Sequence, residues 1–128
     1  MVDKVYTGID LVEIDRIRNS IQRDANFLMR YFGNEEIKLF STKNATERIA
    51  ANFAAKEAFS KALGTGIVGF SLKEVETLRD ENGAPFLHLS GKAKEIAEKR
   101  QLQFSVSLSH TKDYATAIVI GYTNSQRG

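Results

Sequence analysis

The chain has no cysteine, which excludes disulfides and thiolate metal sites. Long apolar runs are missing too. The longest, residues 115–122, is far too short to cross a bilayer. Within the first thirty positions Asp3, Asp10, Glu13, Asp15 and Asp24 fall among the apolar residues, so no signal-peptide core fits there. There is one proline and no proline-rich linker, repeat or low-complexity tract. The net charge is only +2, which does not argue for a dedicated nucleic-acid binder. These absences predict a cytoplasmic protein with no membrane and no nucleic-acid partner. What remains is an ordinary globular mix, 42% hydrophobic and 27% charged over 128 residues. That is enough for one domain, residues 1–128, with its own core.

Residues 5–12 read as a strand. Val5, Thr7, Ile9 and Leu11 share one parity, and Tyr6, Gly8, Asp10 and Val12 share the other. Gly8 has no side chain, so the face carrying Asp10 is expected to be open there. Residues 13–20 look helical, with Ile14, Ile17 and Ile21 on a buried stripe and Arg16, Arg18 and Arg23 off it. A second helical piece, from about residue 24 to 32, stops at Gly33, and Asn34 caps a third.

A long helix follows. Asn44 is its expected N-cap, with Glu47 as capping-box partner. Leu63 closes the pattern, and Gly64 and Gly66 supply the left-handed cap and the turn beyond it. Ile49 and Phe53 set a stripe whose next members are Glu57 and Lys61. A carboxylate on an apolar stripe is costly unless paired, protonated or bound to a metal. The plainer alternative is an exposed Glu57–Lys61 ion pair that stabilises the helix. Alanines at 50, 51, 54, 55, 58 and 62 let another backbone or a flat ligand approach closely.

Beyond the glycines the period changes to two. Residues 71–79 and 85–90 read as strands joined through Asn82-Gly83, a hairpin turn signal. Residues 91–100 form a short helix. Phe104, Val106 and Leu108 alternate with Ser105, Ser107 and Ser109, and a turn at 111–113 leads into a last strand at 115–122. Hairpins imply a mainly antiparallel sheet, so the predicted class is α+β: the sheet packs on the long central helix and shorter helices.

Asp10, Glu57 and His110 stand out as candidate chemistry. Two carboxylates are the minimal protein contribution to a Mg²⁺ site whose other ligands are waters and phosphates. Lys61, one turn from Glu57, would lie near those phosphates as a point charge. Gly64 and Gly66 free backbone N–H groups to approach a polyanion. The Gly-Lys-Ser/Thr order of a P-loop is absent.

Gly8-Ile9-Asp10, the stretch Phe-Ala-Ala-Lys-Glu-Ala-Phe-Ser-Lys-Ala-Leu-Gly-Thr-Gly at 53–66, and Ser107-Leu108-Ser109-His110-Thr111 occur in that order. With them the chain resembles the holo-[acyl-carrier-protein] synthases, the small bacterial class of phosphopantetheinyl transferase, from about Tyr6 to Tyr122. The resemblance implies that fold, and transfer of the 4′-phosphopantetheine arm of coenzyme A to a serine of an acyl carrier protein. The second product is adenosine 3′,5′-bisphosphate. Asp10 and Glu57 match magnesium ligands that hold the pyrophosphate, Lys61 a lysine near the transferred phosphate, and His110 a histidine at the coenzyme A site. The resemblance further implies a homotrimer with active sites at subunit interfaces. Its first helix presents basic residues to the acidic carrier; Arg16 aligns with one of these, and Arg18 and Arg23 cluster beside it. One departure is Asn52, where many relatives carry an arginine. In place of that arginine's charge near the coenzyme A phosphates, either Asn52 is expected to donate a neutral hydrogen bond or another basic residue to substitute.

Phosphoryl transfer needs positioning and charge neutralisation more than covalent help. The serine proton would go to Glu57 through a metal-bound water, or to a water near Asp10; the sequence leaves both open. Two rival readings use the same residues differently. In one, Asp10 and Glu57 serve another Mg²⁺-dependent enzyme acting on phosphate esters, without a carrier protein. In the other, Glu57–Lys61 is structural in a non-enzymatic binding module.

Overall fold

The alternating residues near the C-terminus form a hairpin, and its second strand is the centre of the main sheet. In the computed structural model, which describes residues 2–124, β1 is Val2–Glu13, followed by four helices: α1 Ile14–Arg23, α2 Phe27–Tyr31, α3 Asn34–Lys38 and α4 Ala45–Leu63. A hairpin of β2 (Val75–Arg79) and β3 (Pro85–Leu89) comes next, then α5 (Gly91–Lys99), β4 (Leu102–His110) and β5 (Tyr114–Asn124). The main sheet has the order β1-β5-β4, antiparallel throughout; β2 and β3 pair separately. The class is α+β, as the hairpins predict.

α4 lies across one face of the main sheet and is buried on most of its circumference. One apolar cluster joins its C-terminal half to β2, α5 and the sheet; a second joins its N-terminal half to α1, α2 and the loop before it. The stripe expected on α4 is buried at Ile49 but not beyond it. Phe53 and Glu57 are only half-buried and Lys61 is exposed, so 53–57–61 is the open side of the helix. The charge that is fully enclosed is Lys56.

Gly8 is not an opening. A Cβ there would stand 1.9 Å from the Ala58 carbonyl oxygen and 2.7 Å from the Ala62 nitrogen. The backbone of α4 occupies the space, and the small residues of the helix let β1 approach that closely.

Two local expectations need correction, at Asn44 and at residues 72–74, while the expected Asn82-Gly83 hairpin forms. Asn44 precedes α4 but adopts a left-handed conformation, φ 64°, with no side-chain cap bond, so the capping box with Glu47 does not form. Residues 72–74 make a 3₁₀ turn rather than the start of a strand, because Glu74 is drawn back to the Ser71 amide. The β2–β3 hairpin closes through the five residues 80–84. There Asp80 Oδ1 accepts from the Asn82 and Ala84 amides, and Gly83 takes φ 83°.

Candidate active site

β1 delivers Asp10 because the even-numbered residues of the strand face α4. The Gly8 crossing then sets the strand against the helix two residues earlier. α4 delivers Glu57 next to Ala58, the residue under Gly8. The two carboxylates line one cavity of about 460 Å³ with Arg16, Phe27, Phe53 and Tyr114. Arg16 reaches it because α1 begins directly where β1 ends, with the Ile14 amide bonded to the Asp113 carbonyl at 2.9 Å.

The electrostatics are those of a site short of positive charge. Burial raises the Glu57 pKa above the ordinary carboxyl value; the nearby Asp10 charge raises it further, and Lys61 opposes both. Lys61 Nζ donates to Asp10 Oδ1 at 3.1 Å and to the Ile9 carbonyl at 3.0 Å. The expected Glu57–Lys61 pair on one helix is thus replaced by a cross-element pair with Asp10. Thr116 Oγ1 donates to the Asp10 carbonyl oxygen at 2.7 Å and fixes the strand at that point. Among the described residues no group of three or more His, Asp or Glu side chains forms a metal cage. Two carboxylates lining one cavity are nevertheless a fitting donor set for a hard divalent cation that keeps water and phosphate ligands.

His110 is not in this cavity. It ends β4, exposed, with Nδ1 3.4 Å from the Thr111 carbonyl oxygen. It lines a second cavity of about 290 Å³ with Lys43, Arg48, Arg79 and Ser109. Arg48 and Glu57 are nine residues apart on α4, about two and a half turns, so they project from opposite flanks. Within one chain the helix separates the two cavities. Lys43, Arg48 and Arg79 escaped sequence reasoning; their positive charge was the available signal, but nothing local ties them to His110.

Gly64 and Gly66 lie outside both cavities. They take φ 81° and 69°, and an added Cβ at either would meet nothing within 4 Å. Gly64 caps α4 through its amide to the Lys61 carbonyl at 3.0 Å. Their glycine character answers the backbone conformation, and no close approach within this chain requires it. Arg18 is paired with Asp15 on the exposed side of α1, and Arg23 is exposed; neither lines the Arg16 cavity.

Asn52 faces inward. It is 2% exposed, and Nδ2 donates to Glu36 Oε2 at 3.0 Å and to the Thr77 carbonyl at 3.1 Å. The expected hydrogen bond to coenzyme A is therefore replaced by an internal one. Sequence reasoning also missed Lys56. Its ammonium is buried against the Glu36 carboxylate and donates to the carbonyls of Leu72, at 3.0 Å, and Val75, at 2.7 Å. No hydrophobic period marks it, because α4 is buried on nearly every side.

Comparison with known proteins matches residues 6–119 to the 4′-phosphopantetheinyl transferase superfamily. A holo-[acyl-carrier-protein] synthase of Thermoanaerobacter sp. is 46% identical over 122 residues, covering 92% of this chain and 88% of its own length. The chain belongs to the holo-[acyl-carrier-protein] synthase family. The holo-[acyl-carrier-protein] synthase of Helicobacter pylori, solved in complex with coenzyme A, is 37% identical with a TM-score of 0.78, over 88% of this chain and 96% of that one. The coenzyme A complex of the Chronobacterium ammoniagenes synthase has a TM-score of 0.84 at 28% identity, over 95% and 99% of the two chains. As a holo-[acyl-carrier-protein] synthase this chain is an enzyme that moves phosphopantetheine from coenzyme A to an apo acyl carrier protein. Among the described residues, no helix is long and apolar enough to cross a membrane.

Proposed function

We propose that the transfer is Mg²⁺-dependent, with Asp10 and Glu57 as the protein ligands, and that it releases adenosine 3′,5′-bisphosphate. The observation that carries this reading is the pair of carboxylates facing one cavity, close enough for the Asp10 charge to raise the Glu57 pKa. Mg²⁺ bound there supplies charge neutralisation for the diphosphate of coenzyme A. Lys61 moves from Asp10 to the phosphates as a point charge. The carrier serine Oγ forms a bond to the phosphorus bearing pantetheine. The bond from that phosphorus to the bridging oxygen breaks, and its electron pair leaves on the bisphosphate. Burial and the Asp10 charge raise the Glu57 pKa, so Glu57, through a water, is the assigned acceptor of the serine proton. Arg16 lies at the mouth used by the carrier, whose acidic surface it steers; Arg18 and Arg23 add positive charge elsewhere on α1.

We further propose a homotrimer with shared sites, a reading that two further observations support. The sheet face turned away from α4 leaves Val5, Ile9 and Leu11 exposed at 59%, 62% and 64%, and Ile118 beside them at 38%. A contiguous apolar face of this kind marks an association surface. The His110 cavity and the Asp10–Glu57 cavity lie on opposite flanks of α4, so one coenzyme A reaches both only across two chains. The basic residues beside His110 suit the far phosphate of that molecule.

Intact-mass analysis of apo acyl carrier protein with this enzyme, coenzyme A and Mg²⁺ tests the reaction. The carrier gains the mass of phosphopantetheine, and chelation with EDTA stops the gain. Transfer undiminished by chelation sinks the metal assignment. For the shared site, Asp10→Asn and His110→Ala subunits, each impaired alone, are co-refolded; recovered activity is the expected result. A monomer mass by sedimentation equilibrium at full activity would refute subunit sharing. We place the enzyme in the cytoplasm, where coenzyme A and carrier proteins are found together.

A further inference from the structure

The fully buried lysine at 56 takes no part in the site, yet it is the residue before Glu57. Its ammonium contacts Glu36, the Leu72 carbonyl and the Val75 carbonyl, and it lies 4.8 Å from the centre of the Phe32 ring. The Glu36 carboxylate is in turn satisfied by the Gly33 amide at 3.1 Å, the Thr77 amide at 3.2 Å and Asn52 at 3.0 Å, besides Lys56. The network therefore locks α4 to α3 and to the start of β2. Ala58, on the other side of Glu57 in sequence, meets Gly8. Successive helical residues are rotated by about 100°. Lys56 and Ala58 thus hold nearly opposite sides of the helix, and Glu57 projects between them.

We propose that Lys56 is a positioning residue for Glu57: its buried network fixes the rotation of α4 and so the direction of the Glu57 carboxylate toward Asp10. This rests on the reading of Glu57 as a metal ligand given above. A small rotation of the helix displaces a carboxylate at its rim, and a displacement of about 1 Å at a reacting site costs on the order of a hundredfold in rate. Fold stability alone does not require a charged group here. Buried ion pairs are commonly replaced by apolar or neutral groups without loss of stability.

That difference supplies the test. Lys56→Met leaves Glu36 charged and unpaired, so it is compared with the double variant Glu36→Gln/Lys56→Met, which removes both charges of the pair, and with Lys56→Arg, which keeps the pair but not the shape. Thermal denaturation gives stability, electron paramagnetic resonance gives Mn²⁺ affinity in the presence of coenzyme A, and steady-state kinetics separates kcat from KM. The double variant should recover most of the melting temperature lost in Lys56→Met. It should still bind Mn²⁺ several-fold more weakly than wild type and turn over roughly ten- to a hundredfold more slowly, with KM for the carrier protein nearly unchanged. Lys56→Arg should fold and show the same kcat and Mn²⁺ defects. If either folded variant matches wild type in Mn²⁺ affinity and kcat, Lys56 is merely structural and the inference fails. If wild type itself binds no Mn²⁺, the metal reading of Glu57 fails, and this inference with it.

Discussion

α4 carries two lysine–carboxylate groups five residues apart, and they have opposite character. Lys56 and Glu36 are both fully enclosed, and every oxygen of the carboxylate has donors. Lys61 and Asp10 meet at an open cavity, with Glu57 beside them and one ammonium for two carboxylates. Burial with full hydrogen bonding makes a charge part of the framework. Partial exposure with an excess of like charge makes a place where a cation and a polyanion are welcome. The same helix provides rigidity on one side and unsatisfied charge on the other, which is what a site that positions rather than reacts requires.

Removing the excess charge breaks the open group most severely. Asp10→Asn and Glu57→Gln should each lower transfer by about 10²–10³-fold, measured by carrier mass gain at saturating Mg²⁺. Stability should move the other way for Glu57→Gln. The folded pKa of Glu57 is raised, by burial first and by Asp10 second, so the folded state binds its proton more tightly than the unfolded chain does. The ionised group therefore costs stability at neutral pH, and the cost fades as pH falls through the raised pKa toward the ordinary carboxyl value. Chemical denaturation should find the variant at least as stable as wild type at pH 7, with any advantage gone near pH 4. A large stability loss at pH 7 would place Glu57 in the framework instead.

The enclosed group should answer in the reverse sense. Lys56→Met leaves an unpaired buried carboxylate and should cost about 3–5 kcal/mol at neutral pH. Burial already raises the Glu36 pKa with Lys56 present to oppose it, and loss of the lysine removes that opposition. The folded variant then binds the Glu36 proton more tightly than its unfolded chain, so part of the lost stability should return as pH falls. A pH-independent deficit would mean that cavity formation, not charge, dominates.

How much of this comparison is legible in the sequence depends on what burial pattern each residue sits in. That Asp10, Glu57 and Lys61 belong together is legible because β1 alternates with period two and the motif around 57 is specific. Lys56 was invisible because a helix buried almost all round has no polar side to measure it against; a lysine there looks solvated until the α3 and β2 partners are known. His110 was legible as a strand end, but not as separated from Asp10, since only the path of α4 between the cavities reveals that. Asn44 shows the same limit locally. Its residue type suits a cap, yet the chain enters α4 in a left-handed turn that points the side chain elsewhere.

A smaller effect sharpens the edge of the open site. Arg16→Glu should raise KM for carrier protein roughly tenfold while leaving KM for coenzyme A nearly unchanged, and the defect should shrink as salt screens the repulsion. Arg18→Glu should do less, because Arg18 is already engaged with Asp15 on the far side of the cavity. Equal effects of the two substitutions would place the carrier along the outer face of α1 instead of at the Asp10 cavity.

The strand order has a consequence for when the enzyme becomes an enzyme. β1 is synthesised long before β5, yet among the described residues β5 is its neighbour in the sheet, and Asp10 is paired with Ala117. Until β5 has been synthesised, α4 can meet β1 through Gly8 and Lys61, but the ladder that fixes the strand at Asp10 is missing. A chain still short of β5 should therefore not transfer phosphopantetheine. Truncation inside β5 should abolish activity outright instead of lowering it by degrees.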